Sequence, residues 1–326
     1  MGITRRQKTK QGIALVLALG LLAALLLTAG EAADACRKAL VVCGRLIIPS
    51  LFPFFVLSSL LNSLGLPGIL GKALAPFAMR LYGVSGAGAS ALLIGLTGGY
   101  PTGAGYIADM ERNGAISRSE GERLLAFCNN AGPAFIIGTV GVGVFQSTRA
   151  GLLLYVVLIV SALLTGLFFR NRSYVTELAP VQLDSADSAA ALSEAVRRSV
   201  GAVLNVCGFV LCFSVLLAVL DARGFISLLC GFLSAKLGWE LHAVHALTTG
   251  LFELGSGAGA MQGLPLAPET LALAAFLLGW GGISVYFQTQ SVLAGSKLKG
   301  TLHITGRLLC ASIAAMLAYG TGLLFL

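Results

Sequence analysis

The sequence predicts an all-α polytopic membrane protein made of two inverted repeats. Each repeat has a surface helix, a re-entrant helical hairpin and a broken transmembrane helix. Of the 326 residues, 56% are hydrophobic and only 11% are charged, whereas a soluble domain carries about 25% charged residues. Two of the long apolar segments are interrupted by Gly and polar residues, and the segments follow the same order in both halves of the chain. A broken helix persists in lipid only when protein or a watery cavity surrounds the break.

The composition also excludes several classes of function. The net charge is +8, but the basic residues are scattered and form no stripe with aromatic residues, so nucleic acid is not an expected partner. The seven cysteines show no metal-ligand spacing and are expected to be small buried hydrophobes. No phosphate loop, dinucleotide fingerprint or Ser-His-Asp pattern is present. We therefore expect neither an enzyme, nor a metal site, nor a cofactor.

The chain begins with a basic stretch, 1–10, and an apolar run that predicts a first transmembrane helix over 12–29. A cleaved signal peptide is the alternative, because small residues follow the run at Ala32, Ala33 and Ala35. The length of the apolar run favours an uncleaved helix.

The first repeat contains five predicted segments. They are a span over 40–64, an amphipathic surface helix over 68–82, a hairpin over 84–108 interrupted at 98–103, a broken helix over 124–145 interrupted at 127–133, and a span over 150–169. The surface helix is too short and too charged to cross a bilayer.

A polar stretch over 170–198 is predicted to be a cytoplasmic linker, and the second repeat then restates the first. Its segments are a span over 199–220, a surface helix over 224–240, a hairpin over 243–264 interrupted at 253–257, a broken helix over 269–294 interrupted at 279–282, and a span over 303–325. The predicted division is an N-terminal helix over 1–34, repeat 1 over 35–169, the linker over 170–198 and repeat 2 over 199–326.

Local sequence matches support the repeat. Gly95-Leu96 and 101–105 resemble Gly250-Leu251 and 256–259, with one gap. With the basic N-terminus in the cytoplasm, hairpin 1 enters from the inner side and hairpin 2 from the outer side. Inverted repeats with interrupted helices are typical of secondary transporters that bind substrate near the membrane midplane.

The interruptions supply the candidate binding residues. Asn129 and Asn130 offer four N–H donors and two acceptors at the first break. Their alternative role is to cap the half-helices or tie two helices together. The other predicted substrate contacts are Thr102, Ser256, Ser284 and Gln288, and the predicted helix-breaking residues are Gly99, Pro101, Gly103, Gly132, Pro133, Gly281 and Gly282.

Half-helix N-termini meeting at one point favour an anionic ligand. The sequence places no Lys or Arg deep in a core segment, so helix ends and amides are expected to hold the anion. Glu253 is the main acidic residue at membrane depth and is the candidate coupling group, for a proton or for a cation such as sodium. The alternative for Glu253 is a buried, hydrogen-bonded residue that closes the hairpin.

Several motifs resemble the YlbJ-type sporulation integral membrane proteins. They lie at 98–104, 120–123, 125–138, 140–143 and 279–285, and the resemblance covers roughly residues 35–320. Glycine stands at Gly98, where Ser is more usual in the motif. The family belongs to the nucleoside-recognition, or Gate, group, which is related to concentrative nucleoside transporters.

The resemblance implies a role in endospore formation and transport of dipicolinic acid across the outer forespore membrane. The implied partners are a small anionic substrate, membrane lipid and a homo-oligomer. Two alternatives stay open: a nucleoside as the cargo of the same fold, and a non-transporting membrane scaffold in spore assembly.

Overall fold

The computed structural model describes residues 5–171 and 188–325, and the secondary structure within them is entirely helical. In the first half of the chain the helices are α1 (Arg5–Leu27), α2 (Ala29–Val42), the π-helical segment π1 (Cys43–Ile47), α3 (Ile48–Ser63), α4 (Leu66–Tyr82), α5 (Gly86–Thr97), α6 (Thr102–Arg112), α7 (Arg118–Phe127), π2 (Ala134–Val144) and α8 (Thr148–Phe168). In the second half they are α9 (Ser188–Ala222), α10 (Phe225–Leu237), α11 (Leu241–Phe252), α12 (Leu254–Ala260), α13 (Pro268–Trp280), α14 (Gly282–Leu293) and α15 (Thr301–Phe325).

Residues 30–39, which separate the first two predicted segments, form a helix in the structure. One residue, Thr28, separates α1 from α2, and the helix then continues through π1 and α3 to Ser63. Residues 30–39 are rich in Ala with Glu, Arg and Lys, which are strong helix formers. An ion pair between Asp34 and Arg37, one turn apart, adds to this preference.

The predicted surface helix and hairpin of repeat 1 are both present. The chain bends by 93° between α4 and α5, where Gly83 has φ of 61° and Ser85 caps α5 by accepting the N–H of Gly88 at 3.0 Å. Helices α5 and α6 form hairpin 1. With 12 and 11 residues, each arm is about 17 Å long and cannot cross a bilayer core of about 30 Å.

Both predicted helix breaks are confirmed. Broken helix 1 consists of α7 and π2, separated by residues 128–133, and broken helix 2 consists of α13 and α14, separated at Gly281. Ser117 caps the start of α7 by accepting the N–H of Glu120 at 3.2 Å.

The second repeat follows the same order: α9, the short α10, hairpin 2 formed by α11 and α12, broken helix 2, and α15. One boundary differs from the expectation. Helix α9 begins at Ser188, so the last part of the predicted linker, 188–198, is helical. Residues 172–187 of the linker lie outside the described part of the chain.

Contacts at the hairpin bases show how the two repeats are interleaved. At the base of hairpin 1, Arg112 Nη2 donates to the carbonyls of Val292 and Ala294, both at 2.8 Å, at the end of broken helix 2. At the base of hairpin 2, Gln262 Nε2 donates to Gly143 O at 3.4 Å, at the end of broken helix 1. Each broken helix therefore starts near its own hairpin and ends at the base of the other, as an inverted repeat requires.

Glycine pairs predicted to correspond also occupy matching places in the two hairpins. A Cβ on Gly103 would lie 3.1 Å from Gly95 Cα, and a Cβ on Gly257 would clash with Gly250 Cα. In both hairpins the arms therefore approach closely at a Gly–Gly contact, which is a common way to pack helices in membranes.

Five helical stretches among the described residues are long and apolar enough to cross a membrane, or six with the bent α4–α5 pair. They are Ala29–Leu61, Thr148–Phe168, Ala189–Ala222, Pro268–Leu293 and Thr301–Phe325. Large apolar side chains such as Leu26, Leu228 and Phe325 point outward, as expected for a surface in contact with lipid. The chain is an integral, multi-pass membrane protein of the predicted fold class.

Candidate functional site

The first helix break is held by the side chain of Asn130. Its amide donates to Phe127 O at 2.8 Å, at the end of α7, and to Gly95 O at 3.2 Å in hairpin 1. Its Oδ1 accepts from Arg307 Nη1 at 2.9 Å. A carbonyl at a helix end has no intrahelical partner, so Asn130 satisfies the broken backbone and ties hairpin 1 to α15.

Asn129, the other asparagine of the break, also links the two repeats. Its side chain is fully buried and donates to Thr289 Oγ1 on α14 at 3.0 Å. Its Oδ1 accepts the N–H of Ala104 in hairpin 1 at 3.3 Å. Both asparagines therefore tie helices together in this conformation, in accordance with the second of their two expected roles.

The tip of hairpin 1 lies against this break. Gly99 has φ of 76°, a conformation that glycine adopts without steric cost, and a Cβ on Gly132 would lie 3.0 Å from Gly99 Cα. The next residue, Tyr100, is buried, and its hydroxyl donates to Leu278 O on α13 at 3.1 Å. Hairpin 1 therefore contacts both broken helices.

The second break joins hairpin 1 to hairpin 2. Gly281 and Gly282 both have positive φ, 86° and 87°. A Cβ on Gly281 would lie 3.2 Å from the ring of Tyr100, and a Cβ on Gly282 would lie 3.2 Å from Leu254 N in hairpin 2. Only glycine combines this backbone conformation with such close approach.

Glu253 forms the tip of hairpin 2 and is 3% exposed. Its carboxylate caps α12 by accepting the N–H groups of Gly255 at 2.8 Å and Ser256 at 2.5 Å. The N-terminus of α12 is thus already occupied by a carboxylate of the protein. These contacts match the alternative role expected for Glu253, that of a buried, hydrogen-bonded residue that closes the hairpin.

The two hairpin tips, the first break and helix α14 of broken helix 2 line one small central cavity of about 60 Å³. Gly99 and Gly132 line it from repeat 1, and Glu253 and Gln288 line it from repeat 2. The volume holds a few water molecules and is smaller than the roughly 300 Å³ of an open ligand pocket. In this conformation the central cavity is therefore too small to hold a substrate.

Larger cavities lie on either side of the central cavity, and residues of α9 line all three cavities. The hairpin-1 cavity, of about 390 Å³, is lined by Arg198 and Asn205, and the hairpin-2 cavity, of about 320 Å³, by Ser214 and Asp221. Val206 and Val210 of the same helix line the central cavity between them. The three cavities thus form a row beside α9. The row is narrowest at the central cavity, which is lined by both hairpin tips and by both broken helices.

The predicted contact residues are distributed along this row. Thr102 lines the hairpin-1 cavity, Gln288 the central cavity and Ser256 the hairpin-2 cavity. Glu253 lines both the central cavity and the hairpin-2 cavity. Ser284 is buried and accepts from Gln288 Nε2 at 3.2 Å. Among the predicted helix-breaking residues, Pro101 lines the hairpin-1 cavity, Gly103 lies in the first turn of α6, and Pro133 belongs to the first break.

Arg307 is a buried residue of the site that the sequence did not predict. The expectation that no Lys or Arg lies deep in a core segment is wrong, because Arg307 is 2% exposed and contacts Asn129 O, Asn130 Oδ1 and Tyr100 OH. It lies near the start of the last predicted span, where a basic residue usually reaches the membrane surface. One sequence signal could have identified it. No acidic residue lies near Arg307 along the chain, so it has no local partner for an ion pair.

The fold is that of concentrative nucleoside transporter homologues. The structure is similar to a CNTnw variant in its intermediate 3 state, with 17% identity and a TM-score of 0.63, covering 97% of this chain and 86% of that one. It is also similar to CNTnw in an inward-facing, substrate-bound state, with 14% identity, a TM-score of 0.57 and the same coverage. At these identities the similarity shows that the chain shares the fold of the CNTnw structures.

A curated relative is more similar in sequence. The chain is 29% identical over 309 residues to the sporulation integral membrane protein YlbJ of Bacillus subtilis (strain 168), and the match covers 87% of this chain and 76% of that protein. This similarity confirms the resemblance to YlbJ-type proteins. No protein-family model matches the chain. The relatives are transporter or sporulation proteins rather than enzymes.

Proposed function

We propose that the protein is a secondary transporter that moves a small aromatic carboxylate by alternating access, and that this substrate is dipicolinic acid carried across the outer forespore membrane during sporulation. The observation that carries the proposal is the row of three cavities beside α9, closed at the point where both hairpins meet both broken helices. A path with large cavities on both sides of a small closed one fits a transporter caught between its two open states.

The charge of the site supports an anionic substrate. Arg307 is buried beside the first break, and among the described residues it forms no ion pair with an acidic side chain. A buried charge is unfavourable without a partner. Buried amide groups and the Tyr100 ring lie next to it, so the site offers the groups that a flat aromatic dicarboxylate requires.

The sporulation context comes from the relative. YlbJ of Bacillus subtilis is a sporulation integral membrane protein, and the outer forespore membrane is the location that we infer from it. A nucleoside is the second candidate cargo, because the fold is that of nucleoside transporter homologues. A non-transporting scaffold is the third candidate.

Transport by the purified protein in liposomes tests the proposal. We expect saturable uptake of labelled dipicolinate that unlabelled dipicolinate inhibits and uridine does not. Inhibition by uridine together with uptake of labelled uridine would show a nucleoside transporter instead. Uptake of neither compound above that of empty liposomes would contradict transport and favour the scaffold.

The driving ion is a separate part of the proposal. Glu253 faces the central and hairpin-2 cavities, so it is placed to exchange a proton between the site and one side of the membrane. We propose proton coupling through Glu253, with sodium as the alternative, and no bound cofactor. A dependence of accumulation on a pH gradient, without any dependence on sodium, is the expected result.

A further inference from the structure

One nitrogen of Arg307 is fully engaged by the protein. Nη1 donates to the main-chain carbonyl of Asn129, to Asn130 Oδ1 at 2.9 Å and to the Tyr100 hydroxyl at 3.1 Å. These three oxygens belong to the first break and to hairpin 1, so the guanidinium is fixed at the junction of the two elements.

The other two nitrogens, Nε and Nη2, are buried and have no hydrogen-bond partner. In a planar guanidinium, Nη2 lies trans to Cδ, so its inner N–H points in the same direction as the N–H of Nε. These two groups form the side-on fork that donates to both oxygens of one carboxylate. The unpartnered atoms of Arg307 are therefore the two members of a single carboxylate-binding edge.

Among the described residues, no acidic side chain balances this group. None of the ion pairs among the described residues includes Arg307. The titratable groups that act on it are Tyr100, Cys128 and Cys310, which are neutral in their ordinary state at neutral pH. The thiol of Cys310, a weak acceptor one turn along α15, lies near the guanidinium and carries no charge. His303, also buried nearby, contributes no negative charge either. A buried cation with a free fork and no counter-charge is unfavourable, and an anion that binds to the fork would stabilise it.

We infer that Arg307 recognises the anionic ligand, with its Nε and Nη2 groups pairing side-on with one carboxylate. This inference rests on the proposed function, because it deepens the chemistry of the same site. Tyr100, which contacts Nη1, lines the central cavity, as does Ala131, which follows Asn130. The fork is not exposed in the closed conformation, so pairing accompanies a movement of hairpin 1 or of the break.

Two substitutions separate the charge of Arg307 from its fork. Arg307→Lys keeps a positive charge that can contact the anchoring oxygens but removes the side-on pair of donors. Arg307→Gln removes the charge. Arg149→Lys, at an exposed position near the start of α8, is the matched control. Monodisperse elution of each purified protein in detergent shows that it has folded.

The probes are dipicolinate, benzoate and the neutral pyridine-2,6-dicarboxamide. Binding is measured by titration, and ligand stabilisation by the midpoint of thermal unfolding. We expect both carboxylates to bind to and stabilise the wild-type protein and the Arg149→Lys variant. We expect Arg307→Lys and Arg307→Gln to bind them about 10- to 100-fold more weakly, the loss for a charge-assisted bidentate contact. Binding of the diamide should change little.

The outcomes distinguish this inference from the proposed transport. Equal carboxylate binding by wild type and by a folded Arg307→Lys or Arg307→Gln variant would overturn the role of Arg307, even if dipicolinate is transported. Carboxylate binding that requires Arg307, in a protein that transports no dipicolinate, would support the anion site and refute the proposed function. Failure of every carboxylate to bind to the wild-type protein would overturn the anion site itself.

Discussion

Asn130 is the residue that most directly stabilises the first break. Its side chain makes hydrogen bonds to Gly95 O, to Phe127 O and with Arg307. Two Asn residues beside Gly and Pro in an apolar run were enough to predict the break from the sequence. Arg307 could not be found in the same way, because its burial results from packing between α15 and residues almost 180 positions earlier.

Asn130→Ala is expected to destabilise the protein by about 2 kcal/mol, because it leaves two buried carbonyls without their amide donor and removes one of the three acceptors of Arg307 Nη1. Asn113→Ala, at an exposed position, should change stability by less than about 0.5 kcal/mol. Thermal or denaturant unfolding in detergent provides the comparison. Equal stability of the two variants would show that the Asn130 contacts do not hold the break.

Glu253 combines the N-cap of α12 with a position beside two cavities. We expect Glu253→Gln to keep exchanging substrate between equal concentrations but to lose accumulation driven by a pH gradient, because an amide does not carry the proton. Glu120→Gln is the matched control: Glu120 is also buried and accepts a main-chain N–H, that of Ser85 at 2.6 Å.

Glu120 is not among the residues that line the three cavities, so its variant should still accumulate substrate. Both variants are to be assayed in the same liposomes at equal protein density. Undiminished pH-driven accumulation by Glu253→Gln would rule out Glu253 as the proton carrier.

At the scale of elements, the sequence predicted the order of segments and both breaks. Gly and Pro within apolar runs are strong signals, and the observed breaks at 128–133 and at Gly281 match them. Two boundaries differ, at 30–39 and 188–198, where polar residues predict connections but the structure has helices. Those stretches contain many helix-forming residues, and polarity alone does not end a helix.

The contact between hairpin 1 and the first break depends on glycine at both positions. In Gly132→Ala the new Cβ would lie 3.0 Å from Gly99 Cα, so the backbones must move apart. We expect a loss of about 1–3 kcal/mol in stability and loss of transport. Unfolding midpoints and liposome uptake are the measurements.

Gly138→Ala is the control in the same broken helix, because nothing lies within 4 Å of a Cβ built there. Alanine also favours the helix over glycine, so stability should be unchanged or slightly higher. If the two alanine variants behave alike, close packing at Gly132 is not what positions hairpin 1.

At the scale of the whole molecule, the hairpin bases are predicted to face opposite sides of the membrane. The structure supports this through the contacts of Arg112 with the end of broken helix 2 and of Gln262 with the end of broken helix 1. The orientation of the protein in the membrane is predicted from the basic residues of the N-terminus, which place that end in the cytoplasm.

Single cysteines at the exposed positions Asn113 and Gln262, in a protein whose seven native cysteines are replaced, test this arrangement. An impermeant maleimide should label Asn113→Cys only from the cytoplasmic side and Gln262→Cys only from the opposite side. Labelling of both from one side would contradict the inverted repeat.

Alternating access requires the central cavity to open to the two sides of the membrane in turn. The most direct measurement is labelling of Ala131→Cys, a cavity-lining position, in the same cysteine-free background. We predict that impermeant reagents label it from either side, one side at a time, and that dipicolinate protects it from both. Labelling from one side only, or labelling that dipicolinate does not affect, would contradict alternating access at this site.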